Sequence, residues 1–254
     1  MAPFTLRFLG SGDAFGSGGR LQSCLWATPP TGLPFLVDCG ATCLPAMRMA
    51  GLDPCRIGMI LITHLHGDHF GGLPFFLLDA RVNSLRTAPL TLVGPQGMEA
   101  HLWRTFEALY PGAAKKKPGF PLKFVELEWE APQTIQSLRV SAFAAQHPVA
   151  GSSAATLKIE TEDKCLVVSG DTGWNRHLEQ AAQGADLLVL ECTLARPLPD
   201  TPPDRRSHLD VFTLQANRHR LKARRVILTH MGADVLANPP PGWELAHDGL
   251  EIVL

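Results

Sequence analysis

The chain has 254 residues, enough to bury a sizeable core in one large domain or two small ones, and its 45% hydrophobic and 19% charged residues are an ordinary globular balance. A formal net charge of -1 excludes bulk attraction to nucleic acid or acidic membranes, so any pull on an anionic substrate must be local. No apolar run approaches the ~20 residues that span a bilayer. Arg7 interrupts the only apolar start, which argues against a signal peptide.

Short β-like runs recur along the chain, with helix-like segments between them. FTLRFL (4–9) comes first, followed by a Gly-rich loop, GSGDAFGSGG (10–19), whose backbone N–H groups around Ser11, Gly12 and Asp13 could face a phosphate. PFLVD (34–38) precedes a helix-like Ala41–Ala50, and GMILIT (58–63) and LTLV (90–93) follow. Gln96–Leu109 places Met98, Leu102, Trp103, Phe106 and Leu109 on one helical face. Pro111–Pro121 is a loop, since three prolines and two glycines forbid anything regular. The strand-like LRVSAFAAQ (138–146), KCLVVS (164–169) and DLLVL (186–190) come next, and Arg196–Arg206, with four prolines, is a second loop. Ser207–Arg220 reads as a helix opened by Ser207 and Asp210, a capping-box-like pair. RVILT (225–229) and LEIVL (250–254) complete the set. Most of these strands are continuous and apolar, as strands covered on both faces tend to be. Helices alternating with such strands give an α/β class. Strand patterns resume on both sides of each loop, so residues 1–254 are expected to form a single domain. Cys24, Cys39, Cys43, Cys55, Cys165 and Cys192 are scattered without a C-x-x-C pair, as reduced thiols of a cytoplasmic protein would be.

One internal echo stands out. MILITHLHGDH (59–69) and RVILTHMGAD (225–234) both run apolar strand, Thr, His. Two similar halves whose strand ends meet at a shared site would produce it.

The segment His64-Leu65-His66-Gly67-Asp68-His69 carries the strongest chemical signal. Along an extended strand end His64 and His66 point the same way. Gly67 lets the backbone turn, so that Asp68 and His69 can face a second point nearby. Imidazole and carboxylate together suit zinc, and sometimes manganese or iron. Six residues cannot close two metal sites, so distant ligands are required. His147, Asp171 and His230 each sit where a strand pattern stops, which is where α/β proteins collect their chemistry.

H-x-H-x-D-H followed by a single His, a single Asp and a single His at strand ends resembles the metallo-β-lactamase superfamily. The likeness runs from FLGSGDAFG to THMG. It implies an αβ/βα four-layer sandwich, two mixed β-sheets with helices outside and metals at one edge. It also implies two divalent ions, zinc with manganese as an option. His64, His66 and His147 would hold one ion, Asp68, His69 and His230 the other, and Asp171 would bridge. A bridging hydroxide would be the nucleophile, since metal binding drops the pKa of water to about 7. The filled site would keep a net positive charge and favour an anionic substrate.

Two further stretches select a branch. LVLECTLARP, with Glu191, resembles the H-E-A-T stretch of the transfer-RNA 3′-processing ribonucleases (tRNase Z). RSHLD, with His208, resembles that branch's proton-donating histidine. FLGSGDAFG and GDHFGGLPFFLLD match it too. A phosphodiester leaving group departs as an alkoxide and needs a general acid. His208, expected in the first turn of its helix, would fill that role, with Glu191 countering a helix N-terminus that disfavours imidazolium. Asp68, Glu191 and His208 are therefore the candidate catalytic residues. In one respect the chain departs from the branch: a plain hairpin, SAATLKIETEDKCLVVS, fills the interval from His147 to Asp171, where tRNase Z proper carries a long transfer-RNA-gripping arm. The expected substrate is thus a small anionic phosphodiester, such as a cyclic nucleotide or cyclic sugar phosphate, rather than transfer RNA. A metal-dependent lactonase or thioesterase is the alternative. No membrane partner is expected, and a homodimer is compatible with the sequence. The related cyclic phosphodiesterases often carry a cysteine-rich zinc site after the first strand, where this chain offers only Cys24.

Other residues carry less. Asp38 could orient a ligand histidine or cap a turn. Lys115–Lys117 read as a solvated loop. His101, His177, His219 and His247 lack sequence partners and read as surface, while Phe75, Phe76, Leu77 and Leu78 read as core before pocket wall.

Overall fold

The structure is a computed structural model describing residues 2–254. The first half of the chain supplies β1 (Thr5–Gly10), β2 (Cys24–Thr28), β3 (Phe35–Val37), β4 (Met59–Leu61), β5 (Leu90–Gly94) and β6 (Leu122–Glu126). The second supplies β7 (Gln133–Ile135), β8 (Leu138–Ala144), β9 (Ala155–Glu160), β10 (Cys165–Val168), β11 (Leu187–Glu191), β12 (Arg225–Thr229) and β13 (Glu244–Leu245). A last strand, β14 (Glu251–Val253), returns to pair with β1. The result is two 7-stranded sheets, ordered β14-β1-β2-β3-β4-β5-β6 and β13-β12-β11-β10-β9-β8-β7. Each is mixed in the same way. β14 to β3 pair antiparallel and β3 to β6 parallel, while β7 to β10 pair antiparallel and β10 to β13 parallel.

Alternation along the strands builds the layers. Leu6, Phe8, Met59, Leu61, Leu166 and Val168 point between the sheets into a shared core. Leu9, Ile60 and Ile62 face outward under α1 (Cys43–Met49), α3 (Leu73–Val82) and α4 (Met98–Leu109). Cys165, Val167 and Leu188 face outward under α5 (Arg176–Ala182), α6 (Val211–Asn217) and α7 (Ala233–Ala237). Strands buried on both faces explain the unbroken apolar runs, and the four layers are the expected αβ/βα sandwich. A short α2 (Gly67–Phe70) follows β4 at the sheet edge. Among the described residues no helix is long and apolar enough to cross a membrane.

Several boundaries differ from expectation. The helix expected from Ser207 begins only at Val211, because Asp210 takes the cap and accepts from the Thr213 N–H at 2.9 Å. Residues 207–209 instead run alongside Leu194, whose N–H donates to the Leu209 carbonyl at 3.1 Å. His208 is therefore not in a helical turn. The helix expected from Gln96 starts at Met98, after Gly97 at φ 80°. Phe75–Leu78 lie in α3, where Phe76 and Leu77 are buried and Phe75 is partly exposed.

Candidate metal centre and active site

Parallel strands of both sheets end at one edge, and five of them deliver a polar residue there. Asp38 follows β3, His64 follows β4, Asp171 follows β10, Glu191 ends β11 and His230 follows β12. His147 arrives beyond β8. Asp38 and His230 hold left-handed backbones, φ 62° and 56°, that turn their side chains into the edge. Gly170, beside Asp171, takes φ 58°, and a Cβ there would meet Thr63 Cβ at 2.9 Å. Only glycine lets the two sheets approach this closely at the site.

The seven residues singled out from the sequence converge in two groups. Ligand atoms of His64, His66 and His147 lie within 4.8 Å of one another, as do those of Asp68, His69, Asp171 and His230. Asp171 divides its oxygens between them. Oδ1 lies 3.1 Å from His69 Nε2 and 3.4 Å from His230 Nε2. Oδ2 lies 3.7 Å from His64 Nε2 and 3.8 Å from His147 Nε2. Asp68 Oδ2 is 3.1 Å from His230 Nε2.

Hydrogen bonds behind the rings set which nitrogen faces inward. His69 Nδ1 donates to Asp38 Oδ2 at 2.6 Å. Thr63 donates its hydroxyl to Asp38 at 3.0 Å, so its lone pair accepts from His64 Nδ1 at 3.1 Å. His147 Nδ1 donates to the Ser207 carbonyl at 2.9 Å. In the other half, Thr193 donates to Glu191 Oε2 at 2.7 Å and accepts from His230 Nδ1 at 2.9 Å. In their neutral forms all four rings therefore turn an Nε2 lone pair toward the centre. Two of these nitrogens face other histidines, His69 Nε2 against His230 Nε2 at 3.2 Å and His147 Nε2 against His66 Nδ1 at 3.0 Å. His69 Nε2 and His230 Nε2, both acceptors in the neutral rings, repel unless a cation or proton lies between them. His64 Nε2 and Asp171 Oδ1 are moreover buried with no aligned hydrogen bond, which is costly without a further partner. This acceptor-only interior fits divalent metal ions.

The titration pattern divides the two groups: burial lowers His64 and His147, while the carboxylates beside His69 and His230 outweigh burial and raise them. Burial, together with its histidine neighbours, pushes His64 well below the ordinary range, so its lone pair is free. Burial alone would raise Asp68, but hydrogen bonds from His230 and His69 hold it well below the carboxylate range. Burial would lower His69, yet Asp171 and Asp38 raise it well above normal. A cation must displace that proton, so binding weakens in acid.

His208 sits at the mouth. Its Nδ1 donates to Glu191 Oε1 at 3.0 Å and lies 4.0 Å from Asp171 Oδ2, and its ring packs on His147 with centroids 4.8 Å apart. Burial opposes charging, but the hydrogen bond and charge of Glu191, with Asp171, outweigh it and leave His208 pushed up to about 9. The support comes from Glu191 and not from any helix terminus. Glu191 is itself buried and saturated, also accepting from the Thr172 N–H at 2.7 Å.

Sequence reasoning missed Thr63 and Thr193. The echo points to Thr229 as the neighbour of His230, but Thr229 Oγ1 instead faces the Ser11 carbonyl at 3.4 Å. The Gly-rich loop is a brace. Ser11 O accepts from the His230 N–H at 3.0 Å, and the Gly12 amide is committed to Leu21 O at 2.7 Å. Asp13 holds Ser17 at 2.7 Å. His177, expected without a partner, lies 2.8 Å from Glu130. His101 packs on Phe70, and His219, His247 and Lys115–Lys117 are exposed.

The chain is similar to several known proteins. A Ribonuclease Z from Ignicoccus hospitalis is 27% identical over 245 residues, covering 80% of this chain and 79% of its own. The metallo-beta-lactamase fold protein YhfI from Bacillus subtilis superposes with TM-score 0.77 at 18% identity, over 100% of both chains. Human tRNase Z, short form, superposes with TM-score 0.75 at 24% identity, over 98% of each chain. A family model described as Anti-Pycsar protein Apyc1 matches residues 4–234. The chain belongs to that Anti-Pycsar protein Apyc1 family, within the tRNase Z-like, phosphodiesterase branch of the metallo-β-lactamase superfamily of metal-dependent hydrolases.

Proposed function

We propose that the protein hydrolyses a small phosphodiester, such as a cyclic nucleotide, at two divalent ions, zinc by preference. His64, His66 and His147 would hold one ion and Asp68, His69 and His230 the other, with Asp171 between them. The observation that carries this reading is the division of Asp171, with Oδ1 toward one histidine group and Oδ2 toward the other. Such ions supply an activated water and neutralise charge on the phosphoryl oxygens. The residues do the rest. Asp38, Thr63 and Thr193 keep the inward nitrogens free of protons. His208 donates its Nδ1–H to Glu191, whose charge keeps the ring protonated, so Nε2 carries a second proton that it delivers to the departing alkoxide.

A small substrate is supported by the His147–Asp171 interval. Its strands β9 and β10 pair with each other and lie within the second sheet, so no arm projects there. The relatives named Ribonuclease Z support phosphodiester chemistry. The test is a turnover screen of zinc- and manganese-loaded protein. Its substrates are bis(p-nitrophenyl) phosphate, cyclic nucleotides, a lactone panel and a precursor transfer RNA. Cyclic nucleotide turnover well above the lactones and the transfer RNA is expected. Lactone preference, or efficient 3′ processing of the RNA, contradicts the reading.

A further inference from the structure

The loop that leads into His208 is held by its backbone carbonyls, and the residue that holds it stands beside a candidate metal ligand. Pro203–Arg205 forms one tight helical turn in the proline-rich stretch 196–206. Gln146 Nε2 donates to the carbonyl that opens this turn, Pro203 at 2.8 Å, and to the one that follows it, Arg206 at 2.7 Å. A side-chain amide has two N–H donors, one for each carbonyl. His147 Nδ1 takes the next carbonyl, Ser207 at 2.9 Å. Two consecutive residues thus grip three carbonyls within 203–207. Among the described residues, the other hydrogen bonds of 197–206 stay within that stretch or reach Thr213 on α6. Gln146 is itself fixed. Its N–H donates to Thr172 Oγ1 at 2.9 Å, and its carbonyl accepts from the Gly173 N–H at 3.0 Å. Gly173 shows independently how closely the loop is drawn in. A Cβ there would collide with the Arg206 carbonyl oxygen and lie 2.6 Å from Gln146 Nε2, so a larger residue would push the loop and its holder apart.

We propose that Gln146 is a positioning residue for the proton donor: its amide fixes the loop 203–207 and so sets where His208 stands relative to the leaving oxygen of the diester. Without that amide, the chain entering His208 keeps one hydrogen bond to the metal edge, Ser207 on His147. A general acid works only within hydrogen-bond reach of the oxygen it protonates, so a loosened loop costs rate even when His208 itself is intact. The inference rests on the phosphodiesterase reading above, with His208 as the acid.

The experiment is a double-mutant cycle of Gln146→Met and His208→Ala in the zinc-loaded protein, read as kcat on a diester with a poor leaving group. Methionine keeps the length of the side chain and removes both donors. Alone, Gln146→Met should lower kcat by about 10- to 100-fold, as a displacement of about 1 Å at a reacting group does. Metal content should be kept, and turnover of bis(p-nitrophenyl) phosphate, whose leaving group needs no proton, should fall far less. In the His208→Ala background the same substitution should lower kcat by less than about 2-fold, because the group it positions is gone. The same loss in both backgrounds, equal loss on the two diesters, or no loss in the native background overturns the proposal. Should Gln146→Met not fold, Gln146→Asn, whose amide stops one methylene short of the loop, takes its place in the cycle. Turnover of either diester by the native enzyme tests the phosphodiesterase reading by itself. If the native enzyme turns over neither, hydrogen exchange decides. The backbone amides of 204–208 should exchange about 5- to 150-fold faster in Gln146→Met, the range for two lost hydrogen bonds, and unchanged exchange overturns the proposal.

Discussion

The two halves of the molecule solve one problem with the same device. In the first half Asp38 holds His69 directly and His64 through the Thr63 hydroxyl. In the second, Glu191 holds His208 directly and His230 through the Thr193 hydroxyl. Each half buries one carboxylate behind two imidazoles, with a threonine relaying to one of them. The outcomes differ in exposure. His64 and His69 are 0% and 1% exposed, so the first support serves inward-facing nitrogens alone. The His208 side chain is 23% exposed at the mouth, so the second support serves one inward-facing ring and one that can meet substrate. A device that only orients ligands in one half links a ligand to a proton donor in the other.

Removing the first support should have the largest effect. Asp38→Ala strands the His69 Nδ1 proton and the Thr63 amide in a dry interior, and breaking such a buried pair costs about 3–5 kcal/mol. Because His69 and His64 belong to different groups, both ions should bind more weakly. Thermal unfolding with metal analysis checks this, and an undiminished metal content would break the comparison.

His208→Ala comes next. It should keep the metals and lose about 10²–10⁴-fold in turnover of a diester with a poor leaving group. Loss on bis(p-nitrophenyl) phosphate should be far smaller, because p-nitrophenolate departs without a proton. Equal loss on both substrates would make His208 a positioning group.

The threonines sharpen the comparison further. Loss of such an outer partner typically lowers metal affinity about 10–100-fold. Thr193→Val should loosen the ion held by His230, and Thr63→Val the ion held by His64. Chelator competition, which resolves a tight and a weakened ion, reads this directly. Equal weakening of both ions by either variant would deny the division of labour.

The smallest effect is a pH shift. The raised pKa of His208 keeps its acid form below about 9, so activity on the poor-leaving-group diester should fall as pH rises through it. Positive charge from bound ions opposes the shift, so the alkaline limb should fall between about 6.5, the unperturbed histidine value, and that limit. Glu191→Gln removes the group that raises it and should move the limb toward lower pH. A limb that stays in place in that variant would assign it to another group.

Much of this was legible in the sequence, for local reasons. His64 to His69 announce themselves because four donors crowd one strand end. His147, Asp171 and His230 are found by position, since each follows an apolar run. Continuous apolar strands give the α/β class, and the two-sheet sandwich follows only from the resemblance to the metallo-β-lactamase superfamily. The rest depends on long-range pairing. Asp38 remained ambiguous because its partner, His69, lies far along the chain. Thr193 was hidden because the repeated Thr-His pair points to Thr229, and only the pairing of β11 with β12 brings Thr193 to His230. The sequence places His208 in a helical turn because Ser207 and Asp210 resemble one cap, but Asp210 alone caps the helix.

The central claim is a pair of ions shared across Asp171. Anomalous X-ray diffraction at the zinc absorption edge, from crystals of the zinc-loaded protein, tests it most directly. The account expects two peaks about 3.5–4 Å apart, one facing each oxygen of Asp171. A single peak at saturating zinc, or two peaks of which neither touches Asp171, would contradict it.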